Sequence, residues 1–580
     1  MVRSFLRKVI KLAITAIVLF VIVAVVDYFN HRVQPNSVLV LQLDGPVVER
    51  GNSGFAGLVG EHETPLNRVR KALIDGAADA RIAGLAVEIY DPHMELAQAQ
   101  ELCAMIRDFA GHGKWTAAYM ESAGDFGPGN TPYLVASAAG NISMMPQGEL
   151  NLVGVSVREI FARGTLDWIG IKPDMYSIGK YKTAANIFTE KDFTPSQHEE
   201  DQALVSDMYG QIVAQAASQR HMSAAAIEGF VDQAPMTAEQ GLQDKLIDRL
   251  EYHDQFRDRI KHHGGKLHPV LKYEDYARDW IIPSIRHKPQ IAVVYGDGAI
   301  ARGQGGFDPL LSPGGTSMGS DEMVKAFKKA RDDDSIRAVI FRINSPGGSV
   351  IASELIRRQV ELTARRKPVV VSMSGYAASG GYWVAMPANR VFAEPGTITG
   401  SIGVLGGKFN IASAAAKLGI NSGDVSRGAN VNMFDSFTDF TPAQQQIFTN
   451  QILGNTYQFF LKIVAKQRHL TVDQVNQVAQ GRVWTGEQAI KNKLVDSLGG
   501  FDAALNEAKR LAKLDPKQKV ELVELPQQPG LIDRLSGESS NASVLSPAMM
   551  RLLSPAIKLA RVAIQRETLG QAYCPLTPAL

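Results

Sequence analysis

The chain has 580 residues, too many for a single hydrophobic core, so at least two domains are expected. Apolar residues make up 45% and charged residues 21%, and the net charge of +2 gives no reason to expect nucleic acid as a partner. The two cysteines, Cys103 and Cys574, lie far apart, which excludes a disulfide scaffold and a cysteine-ligated zinc site. No cofactor or metal is expected.

The N-terminus predicts a membrane anchor. An apolar run from Leu12 to Val26 follows the basic residues Arg3, Arg7, Lys8 and Lys11. Extended by Val9 and Ile10, with Lys11 reaching toward the surface, the run approaches the roughly 20 residues that span a bilayer. The basic flank should stay in the cytoplasm, which puts the remaining chain on the other side. A cleaved signal peptide is the alternative, but no small-x-small cleavage site follows the run.

The rest of the chain contains the same module twice. Residues 219–223 (QRHMS) return as 467–471 (QRHLT), and residues 236–240 (MTAEQ) return as 484–488 (WTGEQ). Each pair is about 248 residues apart. We therefore expect five regions: a cytoplasmic tip and transmembrane anchor at 1–35, a first module at 36–265, a linker at 266–288, a second module at 289–525 and a tail at 526–580.

Both modules read as α/β structure. Each opens with a β-rich run, and short apolar strands then alternate with helical stretches. In the second module, residues 338–343 and 368–373 predict strands on either side of a helix at 352–365. This βαβ order predicts a parallel sheet covered by helices. Residues 303–319 predict a mobile loop, and 546–565 an amphipathic basic helix that docks on protein or, alternatively, on a membrane.

Two glycine-containing motifs in the second module indicate a nucleophile. Residues 344–349 (NSPGGS) follow a predicted strand, where paired glycines let backbone N–H groups turn toward a ligand and form an oxyanion hole. After the next strand, residues 377–383 (AASGGYW) surround Ser379 with small residues, which suits a hydroxyl exposed at a helix N-terminus. A tight turn and a simple N-cap serine are the alternatives.

A nucleophilic serine needs a base, and the histidines are poor candidates. His469 occupies the same repeat position as His221, and the first module has Asn130 where the second has Ser379. A histidine present in both copies is more consistent with a structural role. The first module also has Pro92-His93-Met94 where the second has the glycines of residues 346–348.

Further along the chain, the second module lacks lysines that the first module has, and this difference indicates a lysine base. Residues 177–183 (SIGKYKT) of the first module fall on 426–432 (SRGANVN) of the second, so Lys180 and Lys182 have no counterparts. A dyad of Ser379 and Lys182, assembled across the modules, explains both losses. A solvated surface lysine is the alternative.

A lysine base requires a particular environment. The free side chain has a pKa of about 10.4, so it must be partly buried before its neutral form is populated at neutral pH. A hydroxyl is also needed to hold the amine. Ser401, within residues 399–403 (TGSIG) after the next strand, is the candidate, and a simple turn serine is the alternative.

Together these motifs resemble the signal peptide peptidase A family in its long, duplicated, membrane-anchored form. The resemblance extends from the anchor to about residue 511 and rests on residues 344–350, 377–383, 399–403 and 179–184. It implies Ser379 as nucleophile, Lys182 rather than Lys180 as general base, and Ser401 as the contact of the base amine. It also implies an oxyanion hole formed by backbone N–H groups at Gly347 or Gly348 and at Gly380.

The resemblance further implies a crotonase/Clp-protease-like fold for each module and a bowl-shaped homotetramer. The expected function is a membrane-anchored serine endopeptidase that degrades cleaved signal peptides and other extended hydrophobic peptides by a Ser/Lys dyad. It would lie in the bacterial inner membrane, with its N-terminus cytoplasmic and its body periplasmic. Alternatives are a crotonase-fold acyl-CoA hydratase or hydrolase, which export of the body disfavours, and a catalytically inactive membrane scaffold.

Overall fold

The computed structural model describes residues 33–51, 63–125, 127–277, 288–306 and 317–527, together with Thr15. The predicted anchor, residues 307–316 of the predicted mobile loop and the predicted tail helix lie outside these residues. Within the described ranges, no helix is both long and apolar enough to cross a membrane.

The first module is built on a parallel sheet. Its strands are β1 (Ser37–Val48), β2 (Thr64–Pro65), β3 (Ile82–His93), β4 (Trp115–Met120), β5 (Ile142–Met144), β6 (Glu149–Leu150), β7 (Lys172–Ile178), β8 (Met236–Thr237), β9 (Arg249–Leu250) and β10 (Val270–Lys272). The seven-stranded sheet has the order β10-β1-β3-β4-β5-β9, with β2 beside β1. Its central strands are buried on both faces, as expected where helices cover a parallel sheet.

Ten helices accompany this sheet in the described part of the first module. They are α1 (Leu66–Ala78), α2 (Leu96–Gly111), α3 (Asn130–Ser137), α4 (Arg163–Ile169), α5 (Asn186–Thr189), α6 (Pro195–Arg220), α7 (Ala224–Gln233), α8 (Ala238–Gln243), α9 (His253–Lys261) and α10 (Tyr273–Ala277). The long α6 begins with Pro195 at its first position and with Thr194 as N-cap, whose hydroxyl accepts the N–H of Gln197.

The second module repeats this plan. Its strands are β11 (Gln290–Asp297), β12 (Ala299–Ala301), β13 (Ser317–Gly319), β14 (Ile336–Ser345), β15 (Val369–Ala378), β16 (Arg390–Ala393), β17 (Ile398–Gly400), β18 (Val404–Asn410), β19 (Val483–Thr485), β20 (Ser497–Leu498) and β21 (Glu521–Leu525). The eight-stranded sheet runs β19-β17-β15-β14-β11-β21, and β16 joins β15 to β20. All its pairings are parallel except that of β17 with β19.

The helices of the second module follow in the same order. They are α11 (Ser320–Asp332), α12 (Val350–Ala364), α13 (Gly380–Ala385), α14 (Ala412–Lys417), α15 (Pro442–Gln446), α16 (Asn455–Arg468), α17 (Val472–Val478), α18 (Gly486–Lys491) and α19 (Phe501–Leu511), with a π-helical stretch at Ile447–Gly454. The predicted βαβ unit corresponds to β14, α12 and β15, and the mixed α/β class and tandem arrangement predicted from sequence are confirmed.

The predicted linker at 266–288 is wrong in its first part. β10 pairs in parallel with β1, and α10 follows it directly, so both elements belong to the first module. β21 pairs with β11 in the same way at the end of the second module. Each sheet thus gains an edge strand from the chain that follows its last long helix. Edge strands are short and partly exposed, and this is why the segment looked like a polar linker.

The modules are joined by a shared ribbon and by buried ion pairs. β7 pairs antiparallel with β18 along its full length. Arg342 on β14 is fully buried and donates to Glu49 (2.8 Å) and Glu101 (2.6 Å), both in the first module. Burial alone would raise the pKa of Glu49, but the guanidinium groups of Arg342 and Arg70 outweigh it and hold that pKa well below its ordinary value.

Candidate active site

Ser379 lies at the turn between β15 and α13. Its backbone has φ 54° and ψ −116°, a conformation that non-glycine residues rarely adopt. Two hydrogen bonds hold the turn: the Ser379 N–H donates to the Gly400 carbonyl (2.9 Å), and the Trp383 N–H donates to the Ser379 carbonyl (2.9 Å). A Cβ on Gly381 would lie 2.6 Å from the Ser345 carbonyl oxygen, so the small residues around the serine are sterically required.

The glycine loop between β14 and α12 lies against this turn. Gly347 has φ 109°, and a Cβ there would lie 2.7 Å from the Gly380 nitrogen. The Gly347 N–H donates to the Ser345 hydroxyl (3.2 Å), whereas the N–H groups of Gly348 and Gly380 donate to no acceptor in the described part of the chain. Of the two predicted alternatives, Gly348 therefore has the available donor, and it neighbours Gly380.

Lys182 reaches Ser379 from the other module. Its Nζ donates to Ser379 Oγ (3.1 Å), to Ser401 Oγ (2.8 Å) and to the Ser401 carbonyl (3.2 Å). Lys182 is 8% exposed and Ser401 9% exposed. The structure thus brings together the three side chains that the sequence singled out, from two modules and three separate turns.

The shared ribbon explains how the lysine arrives there. β7 runs along β18 from Lys172 beside Asn410 to Ile178 beside Val404. The chain then turns at Gly179 (φ 112°), where a Cβ would lie 2.4 Å from the backbone carbon of Gln480. This turn delivers residues 180–182 to the second module immediately after the ribbon ends.

Glu200, on α6, is a nearby ionisable group that the sequence analysis missed. Its side chain is 1% exposed and accepts the Val483 N–H (2.6 Å). Burial raises its pKa to about 8, against the opposing effects of the Val483 hydrogen bond and of the positive charges of Arg482 and Lys182. The repeat contained a signal, because Ile447 occupies the same position in the second module.

Other residues considered from sequence lie elsewhere. His221 and His469 both end helices in the left-handed conformation, which agrees with a structural role. Lys180 Nζ lies 4.4 Å from the ring centroid of Tyr181. Asn130, at the position of Ser379, is buried and donates to the Gly154 carbonyl (2.7 Å). Among the described residues, no group of three or more His, Cys, Asp or Glu side chains could hold a metal ion.

Comparison with known proteins identifies the family. The profile of peptidase family S49 matches residues 117–266 and 361–515, one region in each module. The chain therefore belongs to peptidase family S49, a family of serine proteases. The matched regions fit the tandem modules described above.

Curated relatives extend the similarity over most of the chain. A protein named "Serine protease SPPA, chloroplastic" from Arabidopsis thaliana is 30% identical over 90% of this chain and 76% of its own length. "Protease 4" from Salmonella typhi is 30% identical over 84% of this chain and 80% of its own length. Among solved structures, a ClpP1 mutant from Listeria monocytogenes is 13% identical over 37% of this chain and 94% of its own, with a TM-score of 0.24.

Proposed function

We propose that this protein is a membrane-anchored serine endopeptidase that cleaves extended hydrophobic peptides with a Ser/Lys dyad. The observation that carries the proposal is the buried Lys182 amine, 3.1 Å from Ser379 Oγ and 2.8 Å from Ser401 Oγ. A nucleophilic hydroxyl within hydrogen-bond reach of a base, with the base held by a third group, is the arrangement required for acyl transfer.

In the proposed mechanism, Ser379 Oγ attacks the scissile carbonyl while the neutral Lys182 amine takes its proton. The oxyanion of the tetrahedral intermediate accepts hydrogen bonds from the N–H groups of Gly348 and Gly380. The intermediate collapses to an acyl-enzyme as Lys182 gives its proton to the leaving amine. Lys182 then takes a proton from a water molecule, whose oxygen attacks the acyl carbon. As this second tetrahedral intermediate collapses, the bond from the acyl carbon to Ser379 Oγ breaks, and Lys182 returns the proton to Ser379 Oγ.

Burial supports the role of Lys182 as a base. Removing an ammonium group from water favours its neutral form, which is the form that can accept a proton. The Ser401 hydroxyl and carbonyl fix the direction of the amine, so that a lone pair can be aimed at Ser379 Oγ. The same hydroxyl would stabilise Lys182 when it becomes protonated in the transition state.

The substrate class and the location are proposed from the resemblance to signal peptide peptidase A. The substrates would be signal peptides already cleaved from their proteins, together with other hydrophobic peptides, and nucleic acid would not be a partner. Residues 1–35 would hold the body at the periplasmic face of a bacterial inner membrane, with the N-terminus cytoplasmic. Each module would be a crotonase/Clp-protease-like unit.

We also propose self-assembly, as a homotetramer. Within one chain, β7 pairs with β18. The repeat places residues 421–427 at the position of β7 and residues 155–161 at the position of β18, yet within the described ranges neither segment belongs to a strand. Val425 is fully exposed. A second copy could supply the missing pairing head to tail, and repetition of that contact closes a ring.

The direct test is hydrolysis of a synthetic signal peptide by the detergent-solubilised protein, beside Ser379→Ala and Lys182→Ala. We expect cleavage by wild type and none by either variant. Cleavage by Lys182→Ala would contradict the Ser/Lys dyad mechanism. Hydrolysis of acyl-CoA but not of peptide would favour the acyl-CoA alternative, and failure of wild type to react with any substrate or with a fluorophosphonate would favour the inactive scaffold.

A further inference from the structure

We propose that Arg482 is a positioning residue for the dyad: it locks the segment that holds Lys182 to the segment that holds Ser401. This inference rests on the proposed Ser/Lys mechanism. Arg482 lies between α17 and β19 in the second module, so it belongs to the module of the serine. Its side chain, however, bonds two residues of the first module: Tyr181, which precedes the lysine, and Glu199 on α6.

The guanidinium group is held in a cage of aromatic and acidic side chains. Its carbon lies 4.7 Å from the ring centroid of Tyr181 and 4.6 Å from that of Trp484. One nitrogen donates to the Tyr181 hydroxyl (3.1 Å) and to Glu199 (2.8 Å), and the Tyr181 hydroxyl also donates to Glu199 (2.8 Å). Stacking and charge-assisted hydrogen bonds together fix a planar guanidinium more firmly than either does alone.

The backbone beside Arg482 bonds both the residue that precedes Lys182 and Ser401, which holds the lysine amine. The carbonyl of Gln480 accepts the Tyr181 N–H (2.8 Å), and the carbonyl of Arg482 accepts the Ser401 N–H (2.8 Å). Between them, Gly481 (φ 83°) packs against the Lys182 backbone so closely that a Cβ would lie 2.4 Å from the Lys182 backbone nitrogen. One three-residue segment therefore sets the separation of Lys182 from Ser401.

The internal repeat argues that this cage serves the site rather than the fold. Neither Arg482 nor any of the three side chains around it is kept at the equivalent position of the repeat. Arg482 corresponds to Ala234, Trp484 to Met236, Tyr181 to Asn430 and Glu199 to Gln446. Both copies nevertheless form the same β17–β19 or β6–β8 pairing beside this segment. The strand pairing thus forms in both copies without the cage residues being kept, and among these equivalent positions, all of them described, the cage is present only beside Lys182 and Ser401.

The consequence is a specific kinetic defect. Without the guanidinium, Tyr181 and Glu199 lose their shared donor, and the 480–482 segment can shift relative to residues 181–182. A displacement of about 1 Å between a base and a nucleophile lowers the rate by about 100-fold. The Arg482 guanidinium bonds Tyr181 and Glu199 rather than Ser379 or the oxyanion glycines, so we expect substrate binding to be kept. We therefore expect Arg482→Met to lower kcat by about 10- to 100-fold and to change KM by less than about twofold.

The test measures kcat, KM and thermal midpoint for full-length wild type, Arg482→Met, Tyr181→Phe and Lys182→Ala on one hydrophobic peptide. Tyr181→Phe keeps the ring but loses the hydroxyl, so it should fold if Arg482→Met does not, and it should lower kcat less. Arg220→Met is the matched control. Arg220 lies at the opposite end of α6 from Glu199 and bonds Asp248 (2.7 Å) and the Lys245 carbonyl. It should keep the wild-type kcat.

The outcomes separate this inference from the function on which it rests. Turnover in Lys182→Ala would refute the dyad and this inference with it. If Lys182→Ala is inactive but Arg482→Met and Tyr181→Phe keep the wild-type kcat, the dyad stands and Arg482 only joins the modules. A rise in KM at constant kcat, or an equal fall of kcat in Arg220→Met, would also overturn the positioning role. Adding Glu199→Gln to Arg482→Met should lower kcat no further, because both act through one contact.

Discussion

The two modules share one sheet plan, and they differ at the ends of the same strands. After β15 the second module places Ser379 in a strained turn before α13, whereas after β4 the first module begins α3 with the buried Asn130. The first module instead extends Lys182 from the end of β7. Each module therefore carries one part of the candidate site, and the parts come together where the two modules meet.

The two modules also differ in where a buried charged residue on an equivalent strand finds its ion-pair partner. Glu88 on β3 and Arg342 on β14 occupy equivalent positions, and both are fully buried. Glu88 is neutralised inside its own module, where Arg257 donates to it (2.7 Å). Arg342 is neutralised by Glu49 and Glu101 of the other module. The second copy therefore depends on the first for its core as well as for its site.

The largest effect is expected from matched alanine substitutions at the equivalent positions of Ser379 and Asn130. Ser379→Ala should lower kcat for peptide hydrolysis by about 10⁴-fold or more, because the nucleophile is lost. Asn130→Ala should keep most activity and lose stability instead, since it removes a buried hydrogen bond worth about 1 kcal/mol. Equal losses of kcat in the two variants would contradict the assignment of chemistry to one copy.

The next largest effect is the loss of stability expected when the buried ion pairs between the modules are removed. Arg342→Met should lower the free energy of unfolding by about 3–5 kcal/mol, because it leaves carboxylates of Glu49 and Glu101 buried with one fewer partner. Arg390→Met, which removes partly exposed pairs with Asp496 and Glu507, should cost less than about 1 kcal/mol. Urea denaturation measures both costs, and similar costs would contradict a large contribution of the buried Arg342 ion pairs to stability.

The oxyanion loop gives a third comparison, since the first module has lost its glycines. Gly348→Ala should lower kcat by about 100- to 1000-fold, because a Cβ would lie 2.3 Å from the Ile300 carbonyl and displace the N–H donor. Gly419→Ala is the control, with a positive φ of 76° but open space around the new methyl group. Wild-type kcat in Gly348→Ala would remove this N–H from the mechanism.

The most gradual effect, and the smallest for each pH unit, is a pH dependence at Glu200, where the other copy has Ile447. Burial raises the pKa of Glu200 from 4.5 to about 8, so the folded state holds a proton that the unfolded state releases. Wild type should therefore lose stability relative to Glu200→Gln as pH rises from 4.5 through about 8, by at most about 1.4 kcal/mol per pH unit. A stability difference independent of pH in that window would contradict a neutral Glu200.

The sequence predicted the site better than it predicted the boundaries. The asymmetric losses between the two copies at Ser379 and Lys182, and the place of Ser401 after the next strand, were visible in the sequence, and the structure brings those three residues together. The choice of Gly348 over Gly347 was not visible, because it depends on whether Ser345 takes the Gly347 N–H. The edge strand β10 was missed because three partly exposed residues have no distinctive pattern.

Contacts between the modules could not be derived from local patterns. The Arg482 cage and the Arg342 ion pairs join residues that are about 240–300 positions apart, and neither spacing nor periodicity links them. In retrospect, the repeat alignment marks Arg482, Glu199 and Glu200 as differences between copies. It does not show what they touch, since side-chain direction at a turn is set by the packing of both modules.

In the proposed mechanism, a base from the first module activates a nucleophile in the second. The most direct measurement is the rate of labelling by a fluorophosphonate, with the labelled residue located by mass spectrometry, in wild type, Lys182→Ala and Lys180→Ala. The account predicts labelling of Ser379 in wild type and Lys180→Ala, and labelling at least about 100-fold slower in Lys182→Ala. Rapid labelling of Ser379 in Lys182→Ala, or its loss in Lys180→Ala, would contradict the account.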